Sequence, residues 1–347
     1  MTFDLTIRGA GIFGLSIAWE AVSRGAKVQI IDPIGAGTGA SGGVVGALQP
    51  HTPDRWNEKK QFQLESLLLA ERFWSEVEAT SGISSGYKRV GRLQPLMNDR
   101  SVALAKERRP DAQARWGNAA IWKVTKDVGV WAPPSPTGLF VHDTLSAILN
   151  PRRAMESLSN ALSLRGAEIK REGTDQGAVI WATGWQGLRD MSIALGQNIG
   201  NGVKGQAALL AHDATGEPQI FADSLHIIAH LDGTVAIGST SERDFDDPTQ
   251  TDEHLDALLE RVGLVMPILK GAKLLKRWAG VRPRAASRAP LLGPWPDRPG
   301  HFVANGGFKI GFGMAPKIAQ TMCTLTLDGN DTIPEMFRFH LLKNTPG

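Results

Sequence analysis

The stretch Thr6-Ile7-Arg8-Gly9-Ala10-Gly11-Ile12-Phe13-Gly14, followed by a helix-like run and then Ile30-Ile31-Asp32, decides the fold. A short apolar strand from Phe3 to Ile7 runs into three glycines spaced G-x-G-x-x-G. Gly9 permits the tight turn, Gly11 lets backbone approach a pyrophosphate, and Gly14 lets the helix pack close to the strand. A helix from about Ile12 to Ser23, with Ile12 and Phe13 in its first turn, then points its free amides and positive dipole end at the phosphates. Gly25 stops that helix, and Lys27 to Ile31 reads as the second strand. Asp32 follows at the strand's end, where a carboxylate accepts ribose hydroxyls. Strand, helix and acid together turn a weak glycine motif into a dinucleotide site.

The rest of the composition fits a globular enzyme. The chain has 347 residues, 42% of them hydrophobic, enough for two domains or one large one. Lys and Arg (38) nearly balance Asp and Glu (35), with no long basic tract, so a nucleic-acid partner is not expected. The single cysteine, Cys323, excludes an intramolecular disulfide and a cysteine-built metal site, and no metal is expected. It falls in a helical stretch, Ile318 to Leu327, as a small buried apolar residue. The first strand starts within a few residues of Met1, and no run of about 18 apolar residues exists. The expectation is therefore a cytoplasmic enzyme without signal peptide or transmembrane segment. A homo-oligomer is left open.

Past Asp32 lies a second glycine-rich segment, Gly35 to Leu48, suited to backbone that passes very close to a ligand. An amphipathic helix is predicted from Lys59 to Thr80, with Phe62, Leu69, Phe73 and Val77 at helical spacing. Between Tyr87 and Phe140 short strands are expected at Val90–Leu96, Ala120–Val124 and Gly129–Ala132. The mixed-sign run Lys106-Glu107-Arg108-Arg109-Pro110 reads as a solvated loop. Asn150-Pro151 opens a helix to Leu164. Strands at Ala167–Glu172 and Gly177–Gly184 rejoin the first sheet. Beyond Gly205 alternating segments at Ala207–Ala211, Leu225–His230 and Val235–Gly238, with Asp232-Gly233 as a hairpin turn, predict an antiparallel sheet. A helix (Asp252 to Val262), a strand (about Gly271 to Val281), a strand at His301–Asn305 and a helix from about Ala315 complete the reading. The fold class is α/β, a Rossmann-like nucleotide-binding domain with a discontinuous antiparallel-sheet substrate domain. The expected division is 1–84, 146–205 and 288–347 for the first, and 85–145 and 206–287 for the second.

Several motifs in order carry a family resemblance. They are Gly9 to Asp32, Gly39-Ala40-Ser41-Gly42, Trp181-Ala182-Thr183-Gly184-Trp185, Val203-Lys204-Gly205-Gln206 and Ile237-Gly238-Ser239-Thr240. Next come Trp278-Ala279-Gly280-Val281-Arg282-Pro283, Ala289 to Pro294, and Gly306-Gly307-Phe308-Lys309 with Ala315-Pro316. Over essentially its whole length the chain resembles the D-amino-acid oxidase superfamily of FAD-dependent amine oxidases, in the style of glycine oxidase and monomeric sarcosine oxidase.

The resemblance implies FAD rather than NAD. It places Ala40, Ser41, Gly42, Gly46, Ala47 and Leu48 over the pyrophosphate and flavin, and Thr183 and Gly184 against the adenosine half. Gly306, Gly307, Phe308 and Lys309 would approach the pyrimidine edge of the flavin. The implied reaction is oxidation of a carbon–nitrogen bond in a small amino acid or N-methyl amino acid. Hydride passes from the alpha carbon to flavin N5, and the imine then hydrolyses. Arg282 matches the carboxylate-binding arginine of glycine oxidase, and Lys309 the carboxylate-binding lysine of the sarcosine oxidase pattern. Their alternatives are a surface ion pair and a charge serving the flavin.

Two features depart from the family. A lid tyrosine is common there, but the only tyrosine here is Tyr87, and His226 stands in its place. His226 would hydrogen-bond the substrate carboxylate or titrate near neutral pH, or be an ordinary histidine. His51, after the glycine-rich loop, is a further site candidate. The link from Glu172 to Gly177 is short, which suggests a trimmed FAD domain. The stretch Arg277–Arg288 lacks the cysteine through which sarcosine oxidases attach flavin, so FAD is expected to be noncovalent. The electron acceptor would be dioxygen, or a quinone or carrier protein for a dehydrogenase of the same fold. A flavoprotein subunit of a larger complex is the other alternative. Glycine, sarcosine, a D-amino acid and an imino acid such as proline all stay open as substrates.

Overall fold

In the computed structural model, residues 2–339 are described. Two sheets organise the chain. The first has six strands in the order Leu291–Pro294, His301–Asn305, Ala178–Trp181, Leu5–Arg8, Val28–Ile31, Glu168–Lys170. All its pairings are parallel except the edge strand Leu291–Pro294. Leu5, Ile7, Ile30 and Ile180 are fully buried, as a parallel sheet covered on both faces requires. The helices Ile12–Ser23, Glu58–Ser81, Pro151–Leu164 and Gly311–Thr326 pack against one another beside it.

Local chemistry explains the helix limits. Asn57 caps Glu58–Ser81 by accepting from the Lys60 amide, and Gly82 ends that helix in the left-handed conformation. Asn150 caps Pro151–Leu164 with proline in the first turn. Cys323 is buried in the last helix, as expected.

The second sheet has eight strands in the order Lys273–Ala285, Gly200–Ala211, Thr234–Gly238, Leu225–Ala229, Gln219–Ala222, Arg92–Pro95, Phe140–Asp143, Trp122–Thr125. It is antiparallel apart from the Gln219–Ala222 and Arg92–Pro95 pairing. The helix Glu253–Val265 covers it through Leu255, Leu258 and Val262.

Three expectations need correction. The run Lys106–Pro110 is not a loop but lies inside a helix, Asp99–Trp116. Asn98 and Ser101 form a capping box that nucleates it, and Pro110 sits on the exposed side. Gly129–Ala132 forms no strand; Trp131 there is a buried plug whose indole donates to the Pro218 carbonyl at 3.0 Å. The last helix starts at Gly311, a turn before Ala315, and carries Pro316 within it. Elements that escaped the sequence reading include the helix Gly184–Leu195, the strands Phe140–Asp143, Gln219–Ala222 and Leu291–Pro294, and the paired strands Ala47–Leu48 and Ala147–Ile148. Short strands without a clear period resemble loops in sequence.

Candidate active site

The glycines of the first motif are enforced by sterics. Gly9 has φ +106°, and a Cβ there would lie 2.3 Å from the Ala182 carbonyl oxygen. A Cβ on Gly14 would come within 1.9 Å of the Gly9 carbonyl oxygen. The first helix has no side-chain cap at Gly11, so its leading amides point outward unfilled, except that Ile12 N donates to Ser41 Oγ at 2.9 Å. That bond brings Ala40–Gly42 onto the helix N-terminus. Asp32 accepts from the Ala10 amide at 2.8 Å and from the Ile34 and Gly35 amides, which fixes its carboxylate beside the motif.

The C-terminal glycines close the same cradle. A Cβ on Gly307 would meet the Phe13 ring at 2.6 Å, so Gly306–Lys309 lies against the first helix. Asn305 donates to the Gly184 carbonyl at 2.9 Å, drawing Thr183-Gly184 to the same end of the sheet. Gly46 admits the Leu149 carbonyl, 1.8 Å from where a Cβ would be, which holds Ala47 and Leu48 in place. All segments assigned to a dinucleotide thus gather at the carboxyl ends of the parallel strands, with uncapped amides and close backbone approaches that a flavin dinucleotide fits.

The second sheet supplies the charge. Arg282 extends from Lys273–Ala285 and is only 8% exposed. Its guanidinium folds across Gly205, where a Cβ would lie 1.8 Å from Nη2; any other residue at 205 collides with it. It donates to Ser239 Oγ and, at 3.3 Å, to the Thr240 carbonyl. Burial pushes its pKa down to about 10, with Glu242 pulling the other way. The Phe308 amide donates to the Pro283 carbonyl at 2.9 Å, which fastens the Gly306–Lys309 loop beside Arg282. Lys309 is solvent-exposed, and its pKa is lowered by partial desolvation and then by Arg282 and Arg284.

His226 belongs to the same group. Burial lowers its pKa to about 4, reinforced by Arg92, Lys309 and Arg282 in turn. The expectation of titration near neutral pH is therefore corrected: the ring stays uncharged there. Its Nδ1 is buried with no hydrogen-bond partner among the described residues. The structure thus brings Arg282, Lys309 and His226 together. His51 is held through Nδ1 by Gln63 Oε1, with Lys59 and Lys60 as its charged neighbours.

Two residues went unremarked. Arg92, 5% exposed, pairs with the buried Asp143 at 2.9 Å and donates to Gln49 Oε1 at 2.8 Å. Lys204, 3% exposed, meets Asp252 at 3.1 Å and Glu242 at 3.7 Å. Gln206 bonds both carboxylates, so these residues clamp the two ends of the loop that follows Thr240. Among the described residues Glu242, Asp252 and His254 have spacing that suits a metal, but the Lys204 ammonium already neutralises the two acids. Charged residues within a strand's alternation were the available signal, and burial, which sequence hides, made them notable.

A family model for FAD dependent oxidoreductases (DAO) matches residues 4–325. The chain belongs to that family. A glycine oxidase of Pseudomonas putida is 25% identical over 364 residues, covering 94% of this chain and 94% of that protein. Glycine oxidase from Geobacillus kaustophilus superposes with a TM-score of 0.85 at 20% identity, covering 98% of both chains. Iminodiacetate oxidase from Chelativorans gives 0.79 at 21% identity, over 96% of this chain and 98% of that one. At such identities the structural likeness concerns the fold. The chain is accordingly a FAD-dependent oxidoreductase. Among the described residues no helix is long and apolar enough to cross a membrane.

Proposed function

We propose that this enzyme oxidises a small amino acid or N-methyl amino acid whose carboxylate is bound by Arg282. The observation that carries the reading is a buried guanidinium with no ion-pair partner among the described residues, held by Ser239 and Thr240 over a glycine that makes room for it. A planar cation so restrained binds a carboxylate bidentately and sets its rotation as well as its position. Leaving the charge unanswered is costly, which favours an anionic ligand.

Noncovalent FAD, held by Gly9 to Gly14, Asp32, Ala40–Gly42, Gly46–Leu48, Thr183-Gly184 and Gly306–Lys309, supplies the two-electron acceptor for the substrate's alpha C–H bond. The protein's contribution is orientation. Arg282 and Lys309 hold the carboxylate end. Uncharged His226 presents Nδ1 as a hydrogen-bonding atom without adding positive charge near the amine. No side chain need remove a proton if the amine arrives neutral, and the imine hydrolyses in water. Dioxygen is the acceptor we propose, with Lys309 beside the flavin loop favouring it. We propose the domain division given above with its 205/206 boundary moved ahead of the Gly200–Ala211 strand, which lies in the second sheet. A cytoplasmic setting accords with this chemistry.

The test is anaerobic mixing of the FAD-loaded protein with glycine, sarcosine, D-amino acids and proline. Bleaching of the flavin bands, reversed by air, supports an oxidase. Bleaching that persists in air replaces dioxygen with a carrier. A flavin that no member of the panel bleaches overturns the amino-acid reading.

A further inference from the structure

Two cations, Arg284 and Lys309, flank Phe308, and Arg282 shares a strand with the first. Arg282 and Arg284 alternate along one extended strand, opposite Val203 and Asn201, so they leave the same face about 7 Å apart. The Arg284 guanidinium lies 5.5 Å from the Phe308 ring centre, and Lys309 Nζ lies 5.7 Å from it. Phe308 itself has φ +43°, a conformation rare for a bulky residue, and its amide is tied to Pro283 between the two arginines. Lys309 is within electrostatic reach of both arginines. Among the described residues none of the three makes an ion pair. The carboxylate that acts on Arg282, Glu242, is itself occupied by Lys204, Gln206 and Thr240.

Elsewhere in the second sheet the chain neutralises buried cations with acids, as in Arg92–Asp143 and Lys204–Asp252. Among the described residues buried Arg282 has no such partner, and half-buried Arg284 and exposed Lys309 near it have none either. A single carboxylate held by Arg282 and Lys309 leaves Arg284 without an anion. We propose that the preferred substrate is an amino acid carrying two carboxylates, one on Arg282 and the second on Arg284, with Lys309 between them. This rests on the amino-acid reading of the site. The class includes N-carboxymethyl amino acids and amino acids with short acidic side chains. Two bidentate anchors also fix the substrate against rotation about a single carboxylate.

The test uses the FAD-loaded protein in two measurements. Binding of the unreactive anions malonate, succinate and acetate is followed by perturbation of the flavin spectrum and by thermal shift. The dicarboxylates should bind at least tenfold more tightly than acetate, and Arg284→Gln should erase most of that margin, with Arg284→Lys retaining part of it. Next, kcat/KM is compared between iminodiacetate and sarcosine, and between aspartate and alanine in both configurations. The dicarboxylate of a pair should lead by at least tenfold, and the ratio should collapse in Arg284→Gln. Equal binding of malonate and acetate, or a ratio that Arg284→Gln leaves intact, overturns the proposal. Failure to oxidise any amino acid defeats the amino-acid reading instead, and the malonate comparison still decides this one.

Discussion

Arg92 and Arg282 are both buried arginines of one sheet, with four strands between them, and their surroundings differ in one respect. Arg92 faces Asp143, fully buried, at 2.9 Å. Arg282 faces a hydroxyl and a carbonyl, with a glycine beneath it where a side chain would otherwise pack. The first charge is answered within the chain and serves the fold. The second is answered only by neutral groups and, in the reading proposed above, serves a ligand. Position in sequence does not separate the two, since each is an arginine within a strand; the partner does.

That contrast is broken most severely at Asp143. Asp143→Asn leaves Arg92 buried without its counter-charge and should lower stability by about 3–5 kcal/mol, read by urea denaturation of the FAD-loaded protein. If the variant unfolds at the wild-type urea concentration, Arg92 is not held as described. Arg282→Ala should act on catalysis instead. Losing a charge-assisted anchor costs about 2–4 kcal/mol, roughly 30- to 1,000-fold in kcat/KM, chiefly through KM, while FAD stays bound. Unchanged kinetics would remove Arg282 from the site.

His226 sharpens the comparison through pH. Its folded pKa of about 4 lies below the unfolded value near 6.5, so the unfolded chain takes up a proton first as pH falls. Its neutral form is fully compatible with the fold above pH 6.5, and stability is lost between there and pH 4, by about 2 kcal/mol at pH 5. His226→Gln should flatten that part of the stability profile; an acid limb identical to wild type would mean the ring is not buried among Arg92, Lys309 and Arg282. The smallest effect is expected of Gly205→Ala. The added Cβ displaces the far end of a flexible side chain, so KM should rise by roughly fivefold, about 1 kcal/mol, with FAD binding intact. A KM equal to wild type would show that the guanidinium does not rest on Gly205.

The nucleotide half was legible because its physics is local. Gly9 and Gly14 are dictated by a turn and a close contact within a few residues, and Asp32 directly follows the second strand. Thr183-Gly184 and Gly306–Lys309 were placed by family resemblance, and the contacts Asn305–Gly184 and Gly307–Phe13 now bring them to the same cradle. The charge half was legible only in part. Arg282 and Lys309 stood out by motif, but the Arg92–Asp143 pair joins residues 51 positions apart, and nothing local announces it. Arg284 follows Arg282 by two residues in an extended strand, a spacing that gains meaning once Phe308 is known to lie beside both. The Lys106–Pro110 run misled because a proline among mixed charges reads as a loop unless the cap at Asn98 is weighed with it.

The most direct test of the account is an anaerobic titration of FAD-loaded wild type and Arg282→Ala with the amino-acid panel, watching the visible flavin bands. The account predicts bleaching of the wild type by at least one amino acid, and bleaching of the variant only at far higher concentration of the same compound. Bands that no amino acid bleaches in the wild type, or equal bleaching of both proteins at equal concentration, would contradict it.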